Sequence, residues 1–378
     1  MLPAAIRLAF LAALVLPLSA GAEPGLGRAL PSRPAPMAPS PSRLAAPLAA
    51  QRFVAGDYVS LREAAGFMGM RTSWQEKERR LTLSDGRNKV VVEADSREAN
   101  VDGLRLFLGR PAVLKNGVLY VTKVDFERTL LARVRPGSVP APPPRPRVIA
   151  LDPGHGGSDN GMENKRLGLK EKILTLDVAE RLQKILVARG YKVVLTRTDD
   201  RPLARDKPTD FRRRSDLANR AGADLFVSIH FNSLYPDTRT SGTETYTFTP
   251  QSQRSDRAWS PLEADDTERE PVPVNRYDPW SALLGQMMHR EVIASLKTLD
   301  RGQKTMHSAI LRGLNCPGVL VESIFLSNET EATRAATPQY RQQIAEALAA
   351  GIEAYSDAIA ALHVKPARAS AVSSLPPS

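Results

Sequence analysis

Two histidines and two glutamates in this chain have the types and settings that hydrolytic metal chemistry needs. His155 lies in DPGHGG and His230 in DLFVSIHFN, each at the end of an apolar, strand-like run. Glu171 opens the helix-like stretch EKILTLDVAERLQKILVARG. The glycine-rich loop from Gly156 to Gly168 can bring that helix start to His155. In open α/β sheets, sites gather at the C-terminal ends of strands. Two imidazoles and one carboxylate form the ligand set of a catalytic zinc, with a fourth position left for water. Glu322 sits inside the apolar run GVLVESIFL. A carboxylate there is costly unless it is paired, hydrogen-bonded or at a wet site. A zinc hydrolase uses such a carboxylate, outside the metal's ligands, to take a proton from water and pass it to the leaving amine. Each residue taken singly also has an ordinary explanation. A strand-end histidine can be satisfied by its neighbours, Glu171 can complement a helix dipole, and Glu322 can pair with a buried arginine.

The elements around these residues alternate. RVIALDPG reads as a buried strand, and Leu174, Val178, Leu182, Ile185 and Leu186 recur on one face of the helix that Gly190 closes. YKVVLTR, DLFVSIHFN and GVLVESIFL are further strands. RRRSDLANRAG, SALLGQMMHREVIASLKTL (opened by Asp278-Pro279) and PQYRQQIAEALAAGIEAY are helices. This alternation over 147–357 predicts a layered α/β domain with a mainly parallel sheet. A smaller β-rich α+β domain precedes it at 53–135: one strand and helix in YVSLREAAGFMG, then alternating strands with turns at Ser84-Asp85-Gly86 and Asn116-Gly117.

Proline marks the joints. The chain has 378 residues and 30 prolines. They crowd into a Pro/Ala-rich tether (23–52), a semi-rigid spacer (136–146) and a frayed tail (358–378). Residues 1–22 read as a secretory signal: Arg7, an apolar stretch from Leu8 to Leu18, then Ala20-Gly21-Ala22. No other segment is apolar enough to span a membrane, so the mature protein is expected outside the cytoplasm, periplasmic or extracellular. A single cysteine, Cys316, excludes an internal disulfide and reads as a small buried side chain. The net charge of +11 favours anionic partners, among them nucleic acid and cell-wall polymers. An export signal argues against nucleic acid.

At DPGHGG, KEKILTLDVAERL, VVLTR, RRSDLANRAGADLFVSIHFN and PGVLVESIFLSN the chain resembles the zinc-dependent N-acetylmuramoyl-L-alanine amidases of the type 3 family. The resemblance covers nearly all of 147–357. It implies a twisted sheet flanked by helices and zinc held by His155, Glu171 and His230. It also implies a catalytic Glu322 and cleavage of the peptidoglycan amide between N-acetylmuramic acid and L-alanine. YVSLREAAGFMGMRTSWQEKERRLTL and PAVLKNGVLYVTKVDF resemble the copper-amine-oxidase-like N-terminal domain. That stretch has no histidine or cysteine to bind copper; the resemblance implies an accessory or wall-associating module, and a structural spacer fits equally well.

Two other readings fit part of the pattern. A zinc peptidase would cut within stem peptides. A wall-binding protein that has lost catalysis would lack one of the four residues, and all four are present. Of the remaining histidines, His289 reads as sitting on a helix flank, His307 as structural and His363 as part of the tail. Arg212, Arg213 and Arg214 read as a solvated basic face. The irregular segment 251–279 carries Glu263, Asp265, Asp266, Glu268 and Glu270. It reads as a solvated loop. In some amidases of this type a segment here covers the zinc until a protein activator removes it.

Overall fold

A computed structural model of the chain describes residues 50–53, 56–256 and 270–364. The expected export signal, residues 23–49 of the tether and most of the tail lie outside them. Near the N-terminus, β1 (Ala50–Phe53) pairs with β2 (Gly56–Ser60), and Ser60 caps α1 (Leu61–Phe67) by accepting the Glu63 N–H at 3.5 Å. A meander follows: β3 (Arg71–Gln75), β4 (Arg80–Ser84), β5 (Lys89–Glu93), β6 (Glu98–Val101) and β7 (Leu104–Phe107). Alternate residues Leu83, Val90, Val92, Val101 and Leu106 are buried on one face. β8 (Val113–Lys115) and β9 (Val118–Thr122) form the expected hairpin; Asn116 and Gly117 both have positive φ, 51° and 71°. A wide helical turn (Asp125–Leu130) then runs into α2 (Leu131–Val134).

The second region contains β10 (Val148–Pro153), a short ribbon of β11 (Glu163–Asn164) and β12 (Leu169–Lys170), α3 (Glu171–Ala188), β13 (Lys192–Leu195), α4 (Lys207–Arg220), β14 (Leu225–Asn232) and β15 (Thr243–Phe248). After residue 270 come α5 (Asp278–Leu296), β16 (Asp300–Met306), α6 (Ala309–Arg312), β17 (Gly318–Phe325), α7 (Glu329–Ala336) and α8 (Pro338–His363). The sheet order is β13-β10-β14-β17-β15-β16, with every pair parallel except β17–β15. Helices cover both faces, which is why β10, β14 and β17 read as continuous apolar runs. Ile149, Val227, Val319 and Val321 face α3, α5 and α8. Ala150, Phe226, Tyr246 and Leu320 face α4 and α6.

The sheet does not stop at β16. β7 pairs parallel with it through Leu106 and Gln303, so the smaller region extends one eleven-stranded sheet. Buried polar bonds cross the joint. Arg133 donates to Gln303 Oε1 from Nε and Nη2, at 3.2 and 3.1 Å, and Gln303 donates to Gln286 at 2.8 Å. Gln286 donates to the Val101 carbonyl at 3.2 Å, and Arg105 N–H donates to Asp300 at 2.8 Å. Excising residues 50–135 would uncover β16 as an edge strand and expose the face of α5 that packs on α2. Several kcal/mol of packing would go, so calorimetry should find the melting transition lowered by more than about 10 °C.

Four expectations need correction. Arg214 is not on a solvated face: its side chain is 2% exposed and pairs with Asp152 at 2.9 Å and Asp210 at 2.7 Å. It lies on the inward face of α4, where two carboxylates compensate its burial. His289 is not on a flank. α5 is enclosed by the sheet and α8, and the buried imidazole bonds Thr245 through Nδ1 and Asp300 through Nε2, both at 2.9 Å. The tail begins later than residue 358, because α8 continues to His363 with Ile359 buried on the same face as Tyr355. The proline spacer lies along this helix, with Arg145 donating to Ser356 at 3.2 Å and His363 Nε2 bonding the Pro143 carbonyl at 2.8 Å. Asp278 caps no backbone N–H; its buried carboxyl accepts from Asn275 Nδ2.

Candidate metal centre

The loop after β10 keeps following β14, since Gly154 N–H donates to the Ile229 carbonyl at 3.1 Å. Two buried arginines hold its carbonyls. Arg197 donates to Pro153 O at 2.9 Å and Gly154 O at 2.8 Å. Arg214 donates to Pro153 O at 2.9 Å and His155 O at 2.8 Å. Asp152 anchors the same turn, accepting from Thr196 and Ser228 hydroxyls and from Arg214; despite its burial, the Arg214 charge and these bonds keep it ionised. The turn leaves His155 in the left-handed region, φ 62°.

Glu171 is the first residue of α3, and its N–H donates to the Met162 carbonyl at 2.9 Å, closing the glycine-rich loop. Its carboxylate is 5% exposed and lies between the two imidazoles: Oε2 is 3.0 Å from His155 Nε2, and Oε1 is 3.0 Å from His230 Nδ1. The N–H groups of Met162 and Phe231 donate to it at 2.9 and 3.0 Å. Burial opposes its charge, but the hydrogen bonds from both histidines outweigh that and hold it well below the usual carboxylate range. Burial likewise opposes charge on His155, yet its bonds to Asp159 and Glu171 carry it up to about 10. Asp159 accepts from His155 Nδ1 at 3.1 Å and from Lys207 at 3.1 Å.

The structure thus brings together His155, Glu171 and His230, which each offer a ligand atom within 4.8 Å of the others. The two imidazole rings meet edge-on, with centroids 4.9 Å apart. Two observations fit this cluster to a metal ion. His230 Nε2 is buried and has no hydrogen-bond partner. Two glycines also leave the space that the side chains occupy. A Cβ on Gly154 would stand 2.3 Å from His230 Cε1, and one on Gly161 2.5 Å from Glu171 Oε2.

Glu322 is buried on β17, where its Cα partners are His230 of β14 on one side and Glu244 of β15 on the other. Glu244 was not singled out from the sequence. It is 5% exposed and accepts four bonds: from Asn232 Nδ2 at 2.8 Å, Tyr246 OH at 2.6 Å, Arg301 Nε at 2.9 Å and Lys304 Nζ at 2.6 Å. Its burial is outweighed by the two cations, so it is held ionised. Asp159 and Arg197 were also missed; Asp159 stands four residues past His155 in HGGSD, and Arg197 ends the strand run VVLTR.

The other sequence candidates sit elsewhere. His307 packs its ring on Phe248, with centroids 5.7 Å apart. Cys316 is buried, and burial pushes its thiol up to about 12, as an inert structural cysteine requires. Of the acidic segment, Glu270 is exposed, while Glu263, Asp265, Asp266 and Glu268 lie outside the described residues.

Comparison with known proteins gives two family matches: N-acetylmuramoyl-L-alanine amidase over residues 149–354, and copper amine oxidase N-terminal domain over residues 51–136. The germination-specific N-acetylmuramoyl-L-alanine amidase of Bacillus subtilis is 30% identical over 218 residues, covering 55% of this chain and 79% of the relative. The amidase AmiC of Neisseria meningitidis is 32% identical over 227 residues, covering 55% of this chain and 52% of the relative. The chain spans 35% of the length of an uncharacterized cell wall amidase of Bacillus anthracis, at 30% identity. Among solved structures, the N-acetylmuramoyl-L-alanine amidase of Clostridium difficile 630 aligns with a TM-score of 0.45 and 28% identity, over 56% of this chain and 97% of that one.

Proposed function

The chain belongs to the N-acetylmuramoyl-L-alanine amidase family, and we propose that it cleaves the amide between N-acetylmuramic acid and the L-alanine of peptidoglycan stem peptides, using a zinc ion. His155, Glu171 and His230 would hold the ion. The observation that carries this reading is the buried, unpartnered His230 Nε2 beside His155 and Glu171, with Glu322 on the neighbouring strand. Two imidazoles and a carboxylate suit zinc, which at such a site lowers the pKa of water to about 7 and polarises a carbonyl.

The chain's own groups do the rest. Asp159 fixes His155 from the far nitrogen, as carboxylates behind metal-bound imidazoles do. Glu171, tied to two backbone N–H groups, holds its place between the rings. The Glu322 carboxylate takes the proton of the attacking water and delivers it to the departing L-alanine nitrogen. The export signal expected at 1–22 and the proposed wall substrate both support work outside the cytoplasm. No helix among the described residues is long and apolar enough to cross a membrane.

The test is digestion of purified sacculi by the full chain. A chelator should abolish product release and zinc should restore it. Mass spectrometry should find intact stem peptides bearing a free L-alanine amine. Peptides shortened within the stem would replace this reading with a peptidase.

A further inference from the structure

Resting on the amidase reading, we propose that Arg301 anchors a free carboxylate of the stem peptide, the one on the residue after L-alanine. Arg301 is on β16, beside the strand that carries Glu244, and two strands from Glu322. Its Nε donates to Glu244 Oε1 at 2.9 Å, and its guanidinium lies 5.1 Å from the centre of the Phe325 ring, three residues past Glu322. Its stem packs where a Cβ on Gly242 would stand 2.9 Å from Arg301 Cγ. The side chain is 34% exposed. Among the described residues, Nη1 and Nη2 donate to nothing. One side of the fork is therefore fixed and the other faces outward, the arrangement for bidentate capture of a carboxylate.

Neighbouring groups do not neutralise this face. Glu244 shares its charge with Lys304 at 2.6 Å. Glu331 turns its oxygens to the N–H groups of Gly242 and Phe325, at 3.0 and 2.7 Å. Reach agrees as well. Two strand spacings put the Arg301 backbone about 10 Å from that of Glu322. The second stem residue lies about 7 Å from the scissile amide along an extended peptide, and an arginine side chain spans the difference. The substrate's chemistry selects the peptide side. On the sugar side the lactyl carboxyl is consumed in the amide. Beyond L-alanine, the γ-linked glutamate keeps its α-carboxylate free.

The test compares two muramyl tripeptides that differ only at this α-carboxylate, free or amidated, hydrolysed by the full chain loaded with zinc. Wild type should favour the free acid by about 10-fold or more in kcat/KM, the scale of a charge-assisted pair. Arg301→Gln should lose at least ten times more on the acid than on the amide, through KM. Arg301→Lys should keep part of the preference, because it retains the charge without the fork. Equal losses on both substrates, or no preference in wild type, would overturn the proposal. If wild type releases no intact stem peptide from either substrate, the amidase reading itself fails.

Discussion

Glu322→Gln should retain zinc and the fold while losing turnover by about 10³-fold or more, the upper part of the range for removing a general acid–base. The amide is nearly isosteric with the carboxylate and can still hydrogen-bond, but it cannot accept the water's proton. Glu322 lies outside the three-residue cluster, so metal content by elemental analysis should match wild type. The neighbouring carboxylate offers no substitute. Glu244 stands directly opposite on β15, but its four acceptor positions are taken by Asn232, Tyr246, Arg301 and Lys304, and the two cations keep it ionised. Its charge therefore cannot be spent on shuttling a proton without breaking that set. Turnover within ten-fold of wild type, at full zinc occupancy, would remove Glu322 from the assigned role. A variant that loses metal along with turnover would instead place Glu322 in the ligand set.

The cluster of His155, Glu171 and His230 was legible because each member stands where a sequence pattern changes. His155 follows an apolar run into a glycine loop, Glu171 starts a helical period, and His230 interrupts LFVSIHFN near its end. What surrounds the cluster was not legible. Arg214 reads as one of three adjacent arginines, and nothing local says that it alone faces Asp152 and Asp210; the compensating charges come from other elements. His289 fails the same way, because Thr245 and Asp300 reach it from strands the pattern did not reveal. β15, TETYTF, is buried at every position, but its polar side chains are satisfied from several elements, Thr243 by Thr298 and Ser323, Glu244 by Asn232, Arg301 and Lys304, and Thr245 by His289 of α5, so it lacks the apolar run that marks β10 or β17. Missing β15 and β16 hid both Glu244 and the seam with β7. Two regions that read as separate domains joined by a proline spacer are one sheet, and the joint is made by backbone pairing and buried amides that no periodicity encodes.

Gly154→Ala should dismantle the metal centre without unfolding the protein. The added Cβ would stand 2.3 Å from His230 Cε1, 2.5 Å from Nε2 and 2.7 Å from Nδ1. Gly154 does not occupy the left-handed region, so alanine meets no backbone penalty and the clash is purely with the ring. One partner must move, and the loop is the stiffer of the two. Gly154 N–H is bonded to Ile229, and its carbonyl accepts from Thr175 and Arg197, each at 2.8 Å. The ring therefore swings away, taking Nδ1 from Glu171 and Nε2 from the site. Losing one of the three proposed ligands should exceed the 10–100-fold loss of affinity that follows removal of a hydrogen-bond partner behind a ligand. Zinc titration should find affinity lowered by more than about 100-fold, with activity falling in parallel and partly recovering at high zinc. The melting transition of the metal-free protein should stay within about 4 °C of wild type, since a ring at the site's edge moves and no core residue does. Gly66→Ala is the control: no atom lies within 4 Å of its added Cβ, and metal binding should not change. Unaltered zinc affinity in Gly154→Ala would mean that His230 does not hold the ion.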